Sequence, residues 1–203
     1  MRGILLLNGT PYTGTIDAQD AYVVCCDGAY AWAKDKVRID RNVGDFDSLN
    51  YLPTPPPKEV YPSEKDCTDG EIGLRALLSH GCDCIEIYGG GGGREDHFLG
   101  NLHLLYYAMQ RNTPARLFTE RTEIFPARGK IKFSVPVGTT LSLLPFSGEA
   151  HIVSSEGLKY PLNGLTLSYG SCRGVSNLAS SQEVCLHCAE GCVLVLINRT
   201  KGT

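Results

Sequence analysis

Aspartates recur in short, loop-like clusters across the first hundred residues. Asp45 and Asp47 flank Phe46 within Gly44-Asp45-Phe46-Asp47-Ser48, and Asp66 and Asp69 lie in Lys65-Asp66-Cys67-Thr68-Asp69. Carboxylates crowded this closely raise one another's proton affinity unless a cation sits among them, so the pattern points to a hard, oxygen-preferring metal such as Mg²⁺. A third acidic element follows a glycine run, Gly89 through Gly93, continuing Arg94-Glu95-Asp96-His97. Glycines let backbone approach a phosphate closely, and a helix starting at Arg94 would aim free N–H groups at an anion. Arg94 adds a bidentate phosphate donor and Asp96 a ligand or orienting group, while Lys65 and His97 are candidate ligand contacts. Acids suited to a metal, beside a phosphate cradle, imply nucleotide phosphoryl chemistry. The glycine run matches neither a Walker A sequence nor a dinucleotide fingerprint.

The elements that must position these groups can be read from the apolar pattern. Residues 4–8 and 21–26 read as buried strands ending at Asn8-Gly9 and Asp27-Gly28, and residues 39–43 as a strand delivering Asp45 and Asp47. A short helix fits residues 29–36. Thr68-Asp69-Gly70-Glu71 matches a capping box and opens a helix with Ile72, Leu74, Leu77 and Leu78 on its apolar face, placing Asp69 in the first turn. Residues 84–88 form a strand feeding the glycine run. Phe98, Leu102, Leu105 and Met109 then repeat at helical spacing, with Arg94, His97 and Asn101 on another stripe. A strand at 115–119 completes an alternation typical of a parallel α/β sheet. Asp27, Asp45, Asp47, Asp66, Asp69 and Asp96 all fall at predicted strand ends or helix starts, where ligands bind in open parallel sheets.

From Glu123 onward the texture changes to short β-prone runs, such as 130–135, 140–144 and 193–198, divided by Gly, Pro and Asn. The expected architecture is therefore α/β. A mostly parallel α/β sheet domain spans residues 1–121, and a smaller all-β domain spans 122–203. Pro53-Thr54-Pro55-Pro56-Pro57 marks an extended surface loop.

The bulk properties narrow the function classes. At 203 residues, with 42% hydrophobic and 20% charged, the chain can bury a sizeable core and lacks a disordered composition. A net charge of −3 gives no electrostatic reason to expect nucleic acid or an anionic membrane surface. The apolar run Ile4–Leu7 is far too short to span a bilayer, and nine cysteines make an odd set better suited to reduced thiols, so a cytoplasmic protein is expected. Cys185-Leu186-His187-Cys188 with Cys192 approaches zinc spacing, yet the segment reads as strand and does not set out a well-placed fourth ligand. Tyr106 and Tyr107 read as core.

Taken in order, Asp27-Gly28-Ala29, the Gly44–Ser48 motif, the Lys65–Asp69 motif and Gly93-Arg94-Glu95-Asp96-His97 with Asn101 resemble the thiamine pyrophosphokinase family. Gly157-Leu158-Lys159-Tyr160-Pro161-Leu162 followed by Gly174-Val175-Ser176-Asn177 resembles the C-terminal signature of its bacterial branch. The resemblance implies an α/β catalytic domain that binds ATP and Mg²⁺, a C-terminal β-sandwich that binds thiamine and dimerises, and a homodimer. It implies transfer of the β,γ-pyrophosphoryl group of ATP to the hydroxyl of thiamine, giving thiamine diphosphate and AMP. On matching positions it implies metal or thiamine-orienting roles for Asp45, Asp47 and Asp69, and a catalytic nucleotide pair in Arg94 and Asp96. Nucleotide-side contacts would come from Asp27, Lys65, Asp66, Thr68, Gly93, His97 and Asn101, and thiamine contacts from Ser176 and Asn177. Two rivals keep part of this reading: a pyrophosphoryl transferase acting on another heterocyclic alcohol, such as a hydroxymethylpterin, and a non-catalytic sensor of nucleotide or thiamine phosphate.

Overall fold

The computed structural model describes residues 1–57, 60–62, 64 and 66–199. The chain divides into two units, Met1–Glu120 and Arg121–Thr203. In the first, strands β1 (Arg2–Leu6), β2 (Ala21–Cys26), β3 (Arg41–Val43), β4 (Cys84–Tyr88) and β5 (Ala115–Phe118) lie in the order β3-β2-β1-β4-β5. All neighbouring pairs run parallel. Their near-continuous apolar character follows from burial on both faces: Ile4, Leu5, Leu6, Val24, Cys25 and Ile87 have essentially no exposure. The chain steps outward from β1 to β3 and then returns to β4 on the far side of β1. The switch point therefore falls between the carboxyl ends of β1 and β4, where Leu6 pairs with Tyr88.

Helices form where the connections cross over. The segment expected as a helix over 29–36 begins instead as a single 3₁₀ turn at Asp27–Ala29 and continues as α1 (Tyr30–Ala33). Helix α2 (Asp69–Ser79) starts at the capping box: Thr68 Oγ1 accepts the Glu71 backbone N–H at 3.2 Å. Its packing onto β1 and β2 is unusually close because Gly73 faces them; a Cβ there would lie 2.5 Å from Leu5 Cδ1 and 2.7 Å from Cys26 Sγ. Helix α3 (Glu95–Gln110) buries Leu104, Leu105 and Ala108, with Leu102 and Met109 at the margins of that face.

The second unit is all-β: β6 (Thr122–Ser134), β7 (Thr140–Pro145), β8 (Ala150–Glu156), β9 (Leu165–Leu167), β10 (Asn177–Leu178) and β11 (Glu183–Asn198). Two long antiparallel strands organise it. The first half of β11 lies between β6 and β8, and its second half between β6 and β7. A register shift between Cys188 and Val193 separates the halves. Gly191 sits at this bend with φ +75°, and a Cβ there would collide with the Glu149 carbonyl oxygen. Residues from both halves, including Leu141, Leu143, Ala150, Ile152, Leu186 and Val195, share one apolar cluster, the layering of a sandwich. The runs expected at 130–135 and 193–198 are the ends of longer strands, and Pro126, Gly129 and Gly191 lie within β6 and β11.

The close contact at Gly73 yields a signed stability test. Gly73→Ala should destabilise the protein by about 1–3 kcal/mol, because the methyl overpacks a helix–sheet contact. Gly100→Ala in α3, whose Cβ would meet nothing within 4 Å, should stabilise by up to about 1 kcal/mol through helix propensity. Urea midpoints of the two variants should move in opposite directions; a Gly73→Ala midpoint equal to that of the parent would contradict the packing.

Candidate active site

Three chain segments end at the same place. Asp27 follows β2, Asp45 follows β3, and Asp69 opens α2; one carboxylate oxygen from each lies within 4.8 Å of the others. Local sequence explains the convergence. Gly44, at φ +139°, lets the end of β3 approach Asp27 so closely that a Cβ would be 3.1 Å from the Asp27 Cβ. The Cys26 thiol donates to the Asp69 carbonyl at 3.3 Å and ties the start of α2 to the end of β2. Asp27 itself has φ +45°, and Oδ2 accepts hydrogen bonds from Ser48 Oγ and, at 3.4 Å, from Asn8 Nδ2. Its Oδ1 is buried and, among the described residues, has no hydrogen-bond partner.

Asp47, grouped with the metal ligands on sequence grounds, lies outside this triad, and Asp27 stands within it. Buried Phe46 between the two acids adopts φ +59°, a left-handed conformation that a bulky side chain holds only under constraint. Asp47 is exposed, and its backbone N–H donates to Asp45 Oδ1 at 3.3 Å.

The glycine run is half braced and half open. Gly89, Gly90 and Gly91 are buried; Gly89 and Gly91 carbonyls accept the N–H groups of Gly9 and Thr10, each at 2.8 Å, and the Gly90 carbonyl accepts Asn101 Nδ2 at 2.9 Å. Asn101 thus positions the loop. Gly92 and Gly93 are exposed at φ +71° and +70°, and lead to Arg94, the N-cap residue of α3. The Arg94 guanidinium forks onto Asp96, with Nε–Oδ1 at 3.1 Å and Nη2–Oδ2 at 2.6 Å. That hydrogen bond and charge hold the Asp96 carboxyl below its ordinary range.

A cavity of about 900 Å³ opens at the switch point, walled by Asn8, Thr10, Asp27, Asp69 and the inner stripe of α3 from Arg94 to Tyr107. Thirteen residues of helix make this wall about 20 Å long, enough for an extended nucleotide. Thr68, Gly93, Asp96, His97 and Asn101 also line it. Asp66 is exposed and is not part of the wall, and Lys65 lies outside the described residues. Asn8, Thr10 and His103, which line the cavity, and Ser48, hydrogen-bonded to Asp27, carry no site expectation in the sequence, and Tyr107 reads there as core. Tyr107 is half-buried, faces the cavity, and carries the Arg111 guanidinium 3.4 Å from its ring centroid. The stop of β1 at Asn8-Gly9 was the available signal for the first two.

In the second unit, Ser176 is exposed at φ +57°. Asn177 is 2% exposed, and its carboxamide is spent on backbone: Oδ1 accepts from Tyr160 N–H at 3.1 Å and Leu178 N–H at 2.9 Å, and Nδ2 donates to the Tyr160 carbonyl at 2.7 Å. Its side chain thereby clamps Tyr160 and the loop around it. Cys185, Cys188 and Cys192 form no disulfide, and burial raises the thiol pKa of Cys188 and pushes that of Cys192 up to about 11.

Fold and site together define a two-unit protein: a doubly wound α/β unit with an acid-walled ligand cavity at its switch point, followed by an all-β unit. Comparison with known proteins makes the assignment specific. Residues 15–117 match the family model described as thiamin pyrophosphokinase, catalytic domain, and residues 128–193 the model described as thiamin pyrophosphokinase, vitamin B1 binding domain. A thiamine pyrophosphokinase of Bacillus subtilis is 35% identical over 166 residues, 77% of each chain, and thiamin pyrophosphokinase 1 of Caenorhabditis elegans is 29% identical over 154 residues, 70% of this chain and 63% of that one. The crystal structure of thiamine pyrophosphokinase from Bacillus subtilis superposes with a TM-score of 0.86 at 25% identity, covering 98% of this chain and all of that one. The Candida albicans enzyme shares the fold, with a TM-score of 0.77 at 19% identity over 98% of this chain and 89% of its own. The chain belongs to the thiamine pyrophosphokinase family of transferases.

The clamp at Asn177 is testable apart from activity. Asn177→Ala strands the Tyr160 N–H and carbonyl and should cost about 1–3 kcal/mol, whereas Ser176→Ala should stay within about 0.5 kcal/mol of the parent. Chemical denaturation of both variants would refute the clamp if Asn177→Ala were the more stable.

Proposed function

We propose that this chain transfers the β,γ-pyrophosphoryl group of ATP to the hydroxyl of thiamine, forming thiamine diphosphate and AMP, with Mg²⁺ as the divalent cation. The observation that carries this reading is the convergence of Asp27, Asp45 and Asp69 beside the glycine run, in a chain of this family. The donor set suits a hard cation: all three groups are oxygen acids, and the buried Asp27 Oδ1 has no hydrogen-bond partner among the described residues. Those three carboxylates are the proposed ligands. A bound divalent ion would neutralise charge on the phosphate oxygens and lower the cost of bringing a polyphosphate into an acidic cavity.

The remaining roles belong to the protein. Thiamine's hydroxyl oxygen bonds to the β-phosphorus, giving up its proton to solvent, as the bond to the bridging oxygen of AMP breaks and AMP leaves, so acceptor, phosphorus and leaving group must be held in line. Gly93 and the start of α3 offer backbone donors to the phosphates, and His97 and Thr68 flank them. Arg94 is the proposed phosphate clamp. Its pair with Asp96 is exposed on both sides, at 70% and 65%, so phosphate can displace the carboxylate at little cost. Asp47, exposed beside the triad, is proposed to face the cationic thiazolium of thiamine. In the second unit, Ser176 and the loop clamped by Asn177 are the proposed thiamine contacts. A cytoplasmic homodimer completes the reading; among the described residues no helix is long and apolar enough to cross a membrane.

Incubation with ATP and thiamine should release AMP and thiamine diphosphate one for one, and Asp27→Asn or Asp69→Asn should lower kcat by about 100-fold or more while the protein stays folded. Release of ADP with thiamine monophosphate would reject the proposed transfer, and near-normal turnover in both variants would reject the triad.

A further inference from the structure

The two oxygens of Asp27 live in different worlds. Oδ2 accepts hydrogen bonds from the Ser48 hydroxyl and the Asn8 amide, while Oδ1 is buried, lacks a hydrogen-bond partner among the described residues, and belongs to the residue that gathers with Asp45 and Asp69. The neighbourhood is built to allow this. A Cβ at Gly28 would collide with both Asn8 Nδ2 and Ser48 Oγ, so only glycine at that position leaves room for the two donors to reach the carboxylate. Ser48 arrives from the turn after β3, closed by the Leu49 N–H donating to the Phe46 carbonyl at 3.0 Å; Asn8 arrives from the end of β1. Both donors are neutral. They fix the carboxylate's rotation without supplying charge that would compete with a cation.

We propose that Ser48, assisted by Asn8, is a positioning residue that occupies Asp27 Oδ2 and so presents Oδ1 alone to the divalent cation. The proposal rests on the reading of Asp27, Asp45 and Asp69 as the cation ligands. Without the hydroxyl, the Asp27 carboxylate turns about its terminal torsion, and its two oxygens exchange places at the cation. Partners that orient a ligating carboxylate characteristically contribute 10–100-fold to metal affinity. Ser48 is exposed, so its replacement removes little packing.

The test is Mn²⁺ binding to the full-length, substrate-free chain, followed by electron paramagnetic resonance of the free ion, for the parent, Ser48→Ala, Ser48→Thr and Asp27→Asn. The proposal expects Ser48→Ala to bind Mn²⁺ roughly 10–100-fold more weakly, and Ser48→Thr to bind within about threefold of the parent. Parent-like binding by Ser48→Ala alongside weakened binding by Asp27→Asn would overturn the positioning role and leave the triad standing. Equal weakening in Ser48→Ala and Ser48→Thr would also overturn it, since the hydroxyl would not be the cause. Identical Mn²⁺ binding by parent and Asp27→Asn would remove the triad reading and the proposal with it.

Discussion

Three carboxylates held within 4.8 Å of one another are the constraint on which the rest of the first unit depends. At an effective dielectric constant of about 20, each pair of charges at that separation repels by roughly 3 kcal/mol, a large sum against the stability of an ordinary domain. A fold tolerates such a cluster only if the backbone dictates it. Here the dictation is visible: Gly44 brings the end of β3 against Asp27, and the Cys26 thiol and the Thr68 cap hold the first turn of α2 in place. Gly73 then seats that helix on the sheet. The parallel sheet supplies the common edge, since β2 and β3 both end there.

The phosphate side of the cavity follows the same economy of means. Gly89 to Gly91 are pinned to the segment after β1 and to Asn101, so the part of the run that touches the core is rigid. Gly92 and Gly93 alone stay exposed, with left-handed φ values that only glycine adopts freely. Trp32 packs beneath Gly89 and donates its indole N–H to the Leu7 carbonyl at 3.3 Å, locking β1 and the run into one support. The result is a stiff floor with a short open rim ending at Arg94.

Much of this was legible in the sequence, and the rest was hidden for definite reasons. The strand ends at residues 26, 43 and 88, the capping box at Thr68 and the change of texture after residue 120 all rest on local chemistry, and local chemistry survives into the fold. The grouping of Asp27, and not Asp47, with Asp45 and Asp69 was not legible, because it depends on how separate strand ends meet and not on the spacing within one motif. The length of β6 and β11 was masked by Pro126, Gly129 and Gly191, which bend or interrupt these strands without ending them. The sequence motif containing Asn177 does not show that its amide bonds the Tyr160 backbone, a partner seventeen positions away that only the folded chain reveals. Tyr107 was assigned to the core because helical periodicity does not distinguish a buried face from a cavity wall.

The central claim is that Asp27, Asp45 and Asp69 gather around one divalent cation at the carboxyl edge of the sheet. An anomalous difference map from crystals of the protein soaked with Mn²⁺ tests it most directly. The account predicts a peak within ordinary metal–oxygen bonding distance of all three carboxylates, with Asp27 Oδ1 as its contact. A peak elsewhere, or the three side chains ordered and turned away from one another with no ion among them, would contradict it.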